Sequence, residues 1–121
     1  MNNFCIVIPN YNHITVIDDV LSQLSSFNLP IIMVDDASNV EAKNVFSKLD
    51  AKYAQLSVVA HDDNQGKGGA VQTGLKQAHK LGFSHAIQVD ADGQHDLSDI
   101  KKLIALSNAQ PKALISCCPI Y

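Results

Sequence analysis

At 121 residues the chain is long enough for one buried core, and its net charge of −3 leaves no basic surface for nucleic acid. Hydrophobic residues make up 46% of it, charged residues 17%, the balance of a water-soluble globular domain. No apolar run approaches the roughly 20 residues that cross a bilayer, and the amino terminus enters an apolar run without the basic region of a secretory signal.

The first predicted element is the run Phe4-Cys5-Ile6-Val7-Ile8, which reads as a strand buried on both faces. Pro9 ends it, and Asn10-Tyr11-Asn12-His13 is a polar loop. Ile14, Ile17, Leu21 and Leu24 then recur at helical spacing, predicting a helix to about Ser26. Ile31-Ile32-Met33-Val34 is a second buried strand, closed by Asp35-Asp36. Ser38-Asn39-Val40-Glu41 has the spacing of a capping box, so a helix should start near Val40, with Val45, Phe46 and Leu49 inward and its end near Lys52.

Leu56-Ser57-Val58-Val59-Ala60 is the third strand, followed by His61-Asp62-Asp63-Asn64. Gly66-Lys67-Gly68-Gly69 opens a long helix whose apolar stripe is Val71, Leu75, Ala78 and Leu81, with Gly82 as its stop. The fourth strand covers residues 85–89 and runs into Asp90-Ala91-Asp92-Gly93-Gln94-His95-Asp96. A helix over 97–107, with Asp96 and Asp99 favouring its start, precedes a fifth strand over 113–117.

This order predicts an α/β fold: a parallel, doubly wound, Rossmann-like sheet of about five strands with helices on both faces. Ligands of such sheets sit beyond the carboxyl ends of the strands. Those ends carry Pro9-Asn10-Tyr11-Asn12, Asp35-Asp36, Asp62-Asp63-Asn64 and Asp90-Ala91-Asp92, and the amino ends carry nothing comparable.

Residues two apart on an extended chain point to the same side, so Asp90 and Asp92 can aim at one point. Two hard oxygen donors at a strand end suit Mg²⁺ or Mn²⁺ completed by substrate phosphates, although Asp and Gly also make turns and cap helices. All nine basic residues are lysine, so no guanidinium clamp is available for a diphosphate. A cation and backbone N–H groups would have to supply that charge. The three cysteines, Cys5, Cys117 and Cys118, lack metal-ligand spacing and read as reduced packing thiols of a cytoplasmic protein. His61, His79 and His85 also lack ligand spacing and read as surface or strand-end residues, and Asp62-Asp63 as a solvated loop.

Taken together and in order, Ile8-Pro9-Asn10-Tyr11-Asn12, Val34-Asp35-Asp36-Ala37-Ser38, Asn64-Gln65-Gly66-Lys67-Gly68-Gly69-Ala70 and Asp90-Ala91-Asp92-Gly93-Gln94-His95 resemble the GT-A glycosyltransferases of family 2. The Asp-Ala-Asp-x-Gln-His form is most similar to the branch containing dolichyl-phosphate mannosyltransferases and bacterial polyprenyl-phosphate glycosyltransferases. The likeness spans nearly the whole chain; each motif is weak alone, and the ordered set is specific.

The resemblance implies an inverting, metal-dependent transferase that takes a UDP- or GDP-sugar donor, with a polyprenyl phosphate as the acceptor at the inner face of the membrane. It implies that Pro9 and Tyr11 line the pocket for the base, and that Asp36, backed by Asp35, contacts base or ribose. Asp90 would sit near ribose and diphosphate, and Asp92 with Gln94 would hold Mg²⁺ or Mn²⁺. Gly66, Lys67 and Gly68 would lie against the donor at a helix start.

His13 stands where the resemblance leads one to expect an acidic residue, and Ala37 where Gly is common. Family members also have a second half that builds the acceptor site and supplies a carboxylate general base. No residue here can be given that role, so residues 1–121 are expected to be the nucleotide-sugar-binding part, inactive in transfer by itself. Such a half should self-associate through Ile115, Cys117, Cys118 and Ile120. The alternative is a non-catalytic nucleotide-sugar-binding fragment or interaction domain. A phosphatase or receiver module with a catalytic aspartate would want that residue after the first strand, where Pro9-Asn10-Tyr11 stand instead.

Overall fold

All seven residues of β1 (Phe4–Asn10) are buried, as a strand at the centre of a covered sheet must be. In the computed structural model, which describes residues 4–92, Lys102 and residues 113–116, β1 pairs in parallel with β2 (Ile31–Asp35) on one side and β4 (His85–Gln88) on the other. Beyond them lie β3 (Leu56–Ala60) and β5 (Ala113–Ser116), giving the order β3-β2-β1-β4-β5 with every pair parallel. The expected doubly wound α/β sheet is therefore present.

Strand alternation sorts the core onto two faces. Ile6 and Ile8 pack with Ile31, Met33 and Ile87 beneath α1 (Ile17–Ser25) and α2 (Val40–Lys52), which contribute Ile17, Leu21, Leu24, Phe46 and Leu49. Cys5 and Val7 face the other way with Ile32, Val34 and Ala86, beneath Ala70 and Ala78 of α3 (Gly66–Lys80). Fully burying a side chain such as Phe46 stabilises the fold by about 1.5–3 kcal/mol. Cys5 is a packing thiol: burial pushes it up to about 11, so it is protonated and unreactive at neutral pH.

Several local expectations are corrected. The first helix begins at Ile17, not near Ile14. Upstream, residues 10–13 are the polar loop that was expected: the Asn10 side chain accepts from His13 N–H and donates to the His13 carbonyl, and Asn12 adopts φ 60°. The second helix is capped by Asn39, whose Oδ1 accepts from Ala42 N–H at 2.9 Å, while Ser38 Oγ accepts from Asn12 N–H in the neighbouring loop. The fully buried stripe of α3 is Ala70, Gly74 and Ala78; of the expected residues Ala78 belongs to it and Leu75 packs half-buried against the same core, whereas Leu81 is 55% exposed. A Cβ at Gly74 would land on Cγ1 of Val7 and 3.3 Å from Cγ2 of Val34, so small residues let α3 sit directly on the sheet.

Gly82 ends this layer at φ 89°, its N–H bonded to the His79 carbonyl. Of the helix expected over 97–107, only Lys102 is described, and it is helical. Cys117, Cys118 and Ile120 lie outside the described residues, while Ile115 stands in β5 opposite Ile87. Among the described residues no helix is long and apolar enough to cross a membrane.

Ala37 occupies the left-handed region at φ 61°, where a side chain costs about 1–2 kcal/mol. Ala37→Gly should remove that strain, less the roughly 0.4–1 kcal/mol by which glycine's freedom favours the unfolded chain. The expected result is a rise in melting temperature of a few degrees by thermal denaturation; a fall would mean that Ala37 is not strained.

Candidate functional site

The carboxyl ends of β1, β2 and β4 meet the amino end of α3 around a cavity of about 150 Å³. Pro9, Tyr11, Asp36, Lys67, Asp90 and Asp92 all line it. Six of the residues singled out from sequence are thus brought together. Asp35, Gly66 and Gly68 do not line the cavity, and Gln94 lies outside the described residues. Asn10, His13 and Ala70 line it without having been assigned a role there. A pocket for a whole ligand is roughly 300–1,000 Å³, so this cavity matches part of one, in an open cleft.

The two carboxylates after β2 differ in surroundings. Asp35 Oδ1 accepts from Ser38 N–H at 2.8 Å and Oδ2 from Lys43 Nζ at 2.9 Å, so its side chain fixes the β2–α2 turn. Burial alone would raise its pKa, but the bonds from Ser38 and Lys43 outweigh burial and hold it below the usual carboxylate value.

Asp36 is the most constrained residue of the site. Its N–H donates to the Asn10 carbonyl at 2.9 Å, and its Oδ1 accepts from Gln65 N–H at 2.7 Å and faces His61 Nδ1 at 2.8 Å. Burial again opposes ionisation, and the bonds from His61, Gln65 and Gly66 again win, so the carboxyl is lowered. His61 follows β3 as expected but is buried, and its Nε2 meets Thr73 Oγ1 of α3 at 2.7 Å. This pair spans 25 residues of sequence, and no local pattern announced it. His85 is likewise a buried strand-end residue, stacked on Phe4 with ring centroids 4.6 Å apart. Asp62 and Asp63 form the exposed bend that was expected.

Past β4 the geometry differs from the strand alternation expected of Asp90 and Asp92. The strand ends at Gln88, Val89 N–H still bonds the Val7 carbonyl at 3.0 Å, and Ala91 and Asp92 stand in a turn. Both residues nevertheless line the cavity, placed there by that turn. Asp90 is largely buried, with a side chain 14% exposed, and its Oδ1 lies 2.8 Å from the Lys67 ammonium; Asp92 is exposed. The edge therefore already attracts a positive charge. Among the described residues no group of three or more His, Cys, Asp or Glu could hold a metal by itself. Asp90 and Asp92 would have to be completed by oxygens from a ligand or water, the usual arrangement for Mg²⁺ or Mn²⁺.

At the start of α3, Gly66 takes φ 80°, a left-handed turn that glycine adopts without strain. Gly68 is helical, and a Cβ there would meet nothing within 4 Å. Neither packing nor backbone geometry requires a glycine at Gly68, which leaves the helix end open to close approach from outside.

The family model for glycosyl transferase family 2 matches residues 5–121. A UDP-N-acetylglucosamine–dolichyl-phosphate N-acetylglucosaminyltransferase from Methanococcus voltae is 36% identical over 112 residues, covering 82% of this chain and 45% of that protein. A dolichyl-phosphate beta-glucosyltransferase from Saccharomyces cerevisiae is 32% identical over 111 residues, covering 82% of this chain and 32% of that protein. The chain thus spans less than half the length of these relatives. Among solved structures, the mannosyltransferase PcManGT from Pyrobaculum calidifontis, in complex with GDP-Man and Mn²⁺, shares the fold. The TM-score is 0.65 at 22% identity, over 74% of this chain and 27% of the other. With a parallel sheet that gathers its polar chemistry at one edge and a family match over nearly its whole length, the chain belongs to glycosyltransferase family 2.

Proposed function

We propose that the chain forms the donor-binding part of an inverting, metal-dependent glycosyltransferase that takes a UDP- or GDP-sugar, with a polyprenyl phosphate as acceptor at the membrane surface. The observation that carries this reading is the single cavity onto which Tyr11, Asp36, Lys67, Asp90 and Asp92 converge from four segments of the chain. Tyr11 and Pro9 offer a flat apolar wall for a base, and Asp36 offers a fixed, ionised acceptor to base or ribose. Lys67 and the amino end of α3 face the position where a diphosphate would lie. Asp92 with Gln94, beside Asp90, would hold Mg²⁺ or Mn²⁺. When bound, the ion offsets the charge of the departing nucleoside diphosphate.

A second reading, donor binding without transfer, is favoured by one observation. The two cavity carboxylates that are most buried, Asp36 and Asp90, are engaged by His61 and Lys67 and are not poised to deprotonate an acceptor. Sugar transfer to a polyprenyl phosphate by this chain would exclude that reading.

Because Lys67 is the one lysine among the described residues that line the cavity and the chain has no arginine, nucleotide affinity should depend on a divalent ion. Calorimetry of UDP and GDP with Mn²⁺ and then with EDTA tests this. Asp92→Asn is expected to weaken Mn²⁺-dependent binding by about 1–3 kcal/mol, the scale of a charge-assisted contact. Asp62→Asn, in the exposed bend, should change little. Equal affinity in EDTA would overturn the metal's role, and a reversed ranking of the two variants would place the site elsewhere.

A further inference from the structure

We infer that His61 is a positioning residue for nucleotide recognition, holding the Asp36 carboxylate in the orientation in which it meets the nucleoside. The inference rests on the donor-site reading above and adds a residue that does not itself line the cavity.

The imidazole is clamped between two elements. A carboxylate has only acceptors, so Nδ1 carries the proton and donates to Asp36 Oδ1 at 2.8 Å. Nε2 lies 2.7 Å from Thr73 Oγ1 and accepts its hydroxyl proton, for which the Gly69 carbonyl one turn earlier in α3, at 3.1 Å, is the alternative acceptor. The side chains of His61 and Asp36 are only 6% and 3% exposed, so water does not compete for these bonds.

The same carboxylate oxygen accepts from Gln65 N–H, and Asn64 Nδ2 donates to the Asp36 carbonyl at 3.2 Å. One imidazole therefore locks together the end of β2, the β3–α3 loop and the first turns of α3. Two donors on Oδ1 fix the rotation of the carboxylate about its Cβ–Cγ bond, and with it the direction in which its other lone pairs face the cavity. Asp36 without His61 would keep the backbone donors on that side but lose the side-chain restraint that sets its angle. A merely structural histidine would need no carboxylate that also borders the cavity; this one acts on the wall where a base or ribose would bind.

The two ring nitrogens can be tested separately. In the full chain, His61→Asn retains an amide donor near the Nδ1 position, whereas His61→Gln places its amide nearer Nε2 and deprives Asp36. Binding of UDP and GDP with Mn²⁺ would be measured beside binding of Mn²⁺–pyrophosphate, which lacks the nucleoside, and each variant's melting temperature would be recorded. His61→Gln should weaken the nucleotide that the wild type binds by about tenfold while changing pyrophosphate affinity by less than about twofold. His61→Asn should recover most of the nucleotide affinity.

Unchanged nucleotide affinity in a folded His61→Gln variant would overturn the inference. Parallel losses of nucleotide and pyrophosphate affinity would also overturn it, because they would show a general structural role. If His61→Gln does not fold, His61→Asn decides: selective weakening of nucleotide smaller than about threefold supports the inference, and parallel losses reject it. Wild-type chain that binds pyrophosphate with Mn²⁺ but neither nucleotide would overturn the donor-site reading itself, and the inference with it.

Discussion

Replacing Asp36 with alanine should lower stability by about 2–4 kcal/mol and abolish nucleotide binding. The reason is what the substitution leaves behind. His61 Nδ1–H loses its acceptor in a place that water hardly reaches, where an orphaned buried donor costs about 1–3 kcal/mol, and the part-buried Gln65 N–H loses its acceptor as well. Asp36→Asn keeps one acceptor and should cost roughly half as much. A loss of about 3 kcal/mol corresponds to a fall in melting temperature of roughly 10 °C for a domain of this size.

The same carboxylate should leave a signature in acid. Asp36 and Asp35 are both lowered from the ordinary carboxylate value in the folded protein, so the unfolded chain binds their protons more readily. Their contribution to stability is therefore complete above the unfolded value near 4 and is lost as pH falls through the lowered folded values. Circular dichroism against pH should show an acid limb that begins near pH 4 in the wild type and is shallower in Asp36→Asn. An identical limb in the two proteins would mean that the His61 and Gln65 bonds do not hold the ionised form.

What could be read from the sequence, and what could not, follows from the range of each interaction. β1 and β2 are continuous apolar runs because both their faces are covered, so they stand out without reference to any other residue. The placement of Asp36 and Asp90 at strand ends follows from those runs and from the crossover rule. The His61–Asp36–Thr73 chain does not, since its members are separated by 25 and 12 residues and no periodicity links them. A polar residue immediately after a strand was the only available signal, and it serves loops just as often.

Two other differences have a common cause. Hydrophobic periodicity weights large side chains, so it selected Val71 and Leu81 for the inward face of α3 beside Leu75 and Ala78, which do pack there. Close approach to the sheet selects small ones, and Ala70, Gly74 and Ala78 are the fully buried residues of the helix. Asp90 and Asp92 were expected to converge by strand alternation. They line the cavity from a turn instead, because the strand ends two residues before Asp90. The family likeness rests on short motifs at strand ends, and these survive such local differences because each motif sits at the edge that the sheet itself positions.

The close seating of α3 gives the second large expected effect, and it couples packing to the site. Gly74→Val introduces three carbons where even one would meet Cγ1 of Val7 and Cγ2 of Val34. Helix propensity returns at most a few tenths of a kcal/mol, while overpacking costs about 1–3 kcal/mol, so destabilisation near the upper end is expected. Relief requires α3 to lift from the sheet, and α3 carries Lys67, whose ammonium lies 2.8 Å from Asp90 Oδ1 at the cavity. Gly74→Val should therefore weaken Mn²⁺-dependent nucleotide binding even at temperatures where the protein remains folded. Gly68→Ala is the contrasting case, since its new Cβ would enter open space within a helix. There the gain of up to about 1 kcal/mol in propensity is unopposed, and the melting temperature should rise. If a donor phosphate lies against this turn, the same methyl group should reduce affinity, so stability and binding would move in opposite directions. Affinity that rose or held constant in Gly68→Ala would remove the first turn of α3 from the donor site. Unchanged stability in Gly74→Val would mean that α3 is not seated on Val7 and Val34.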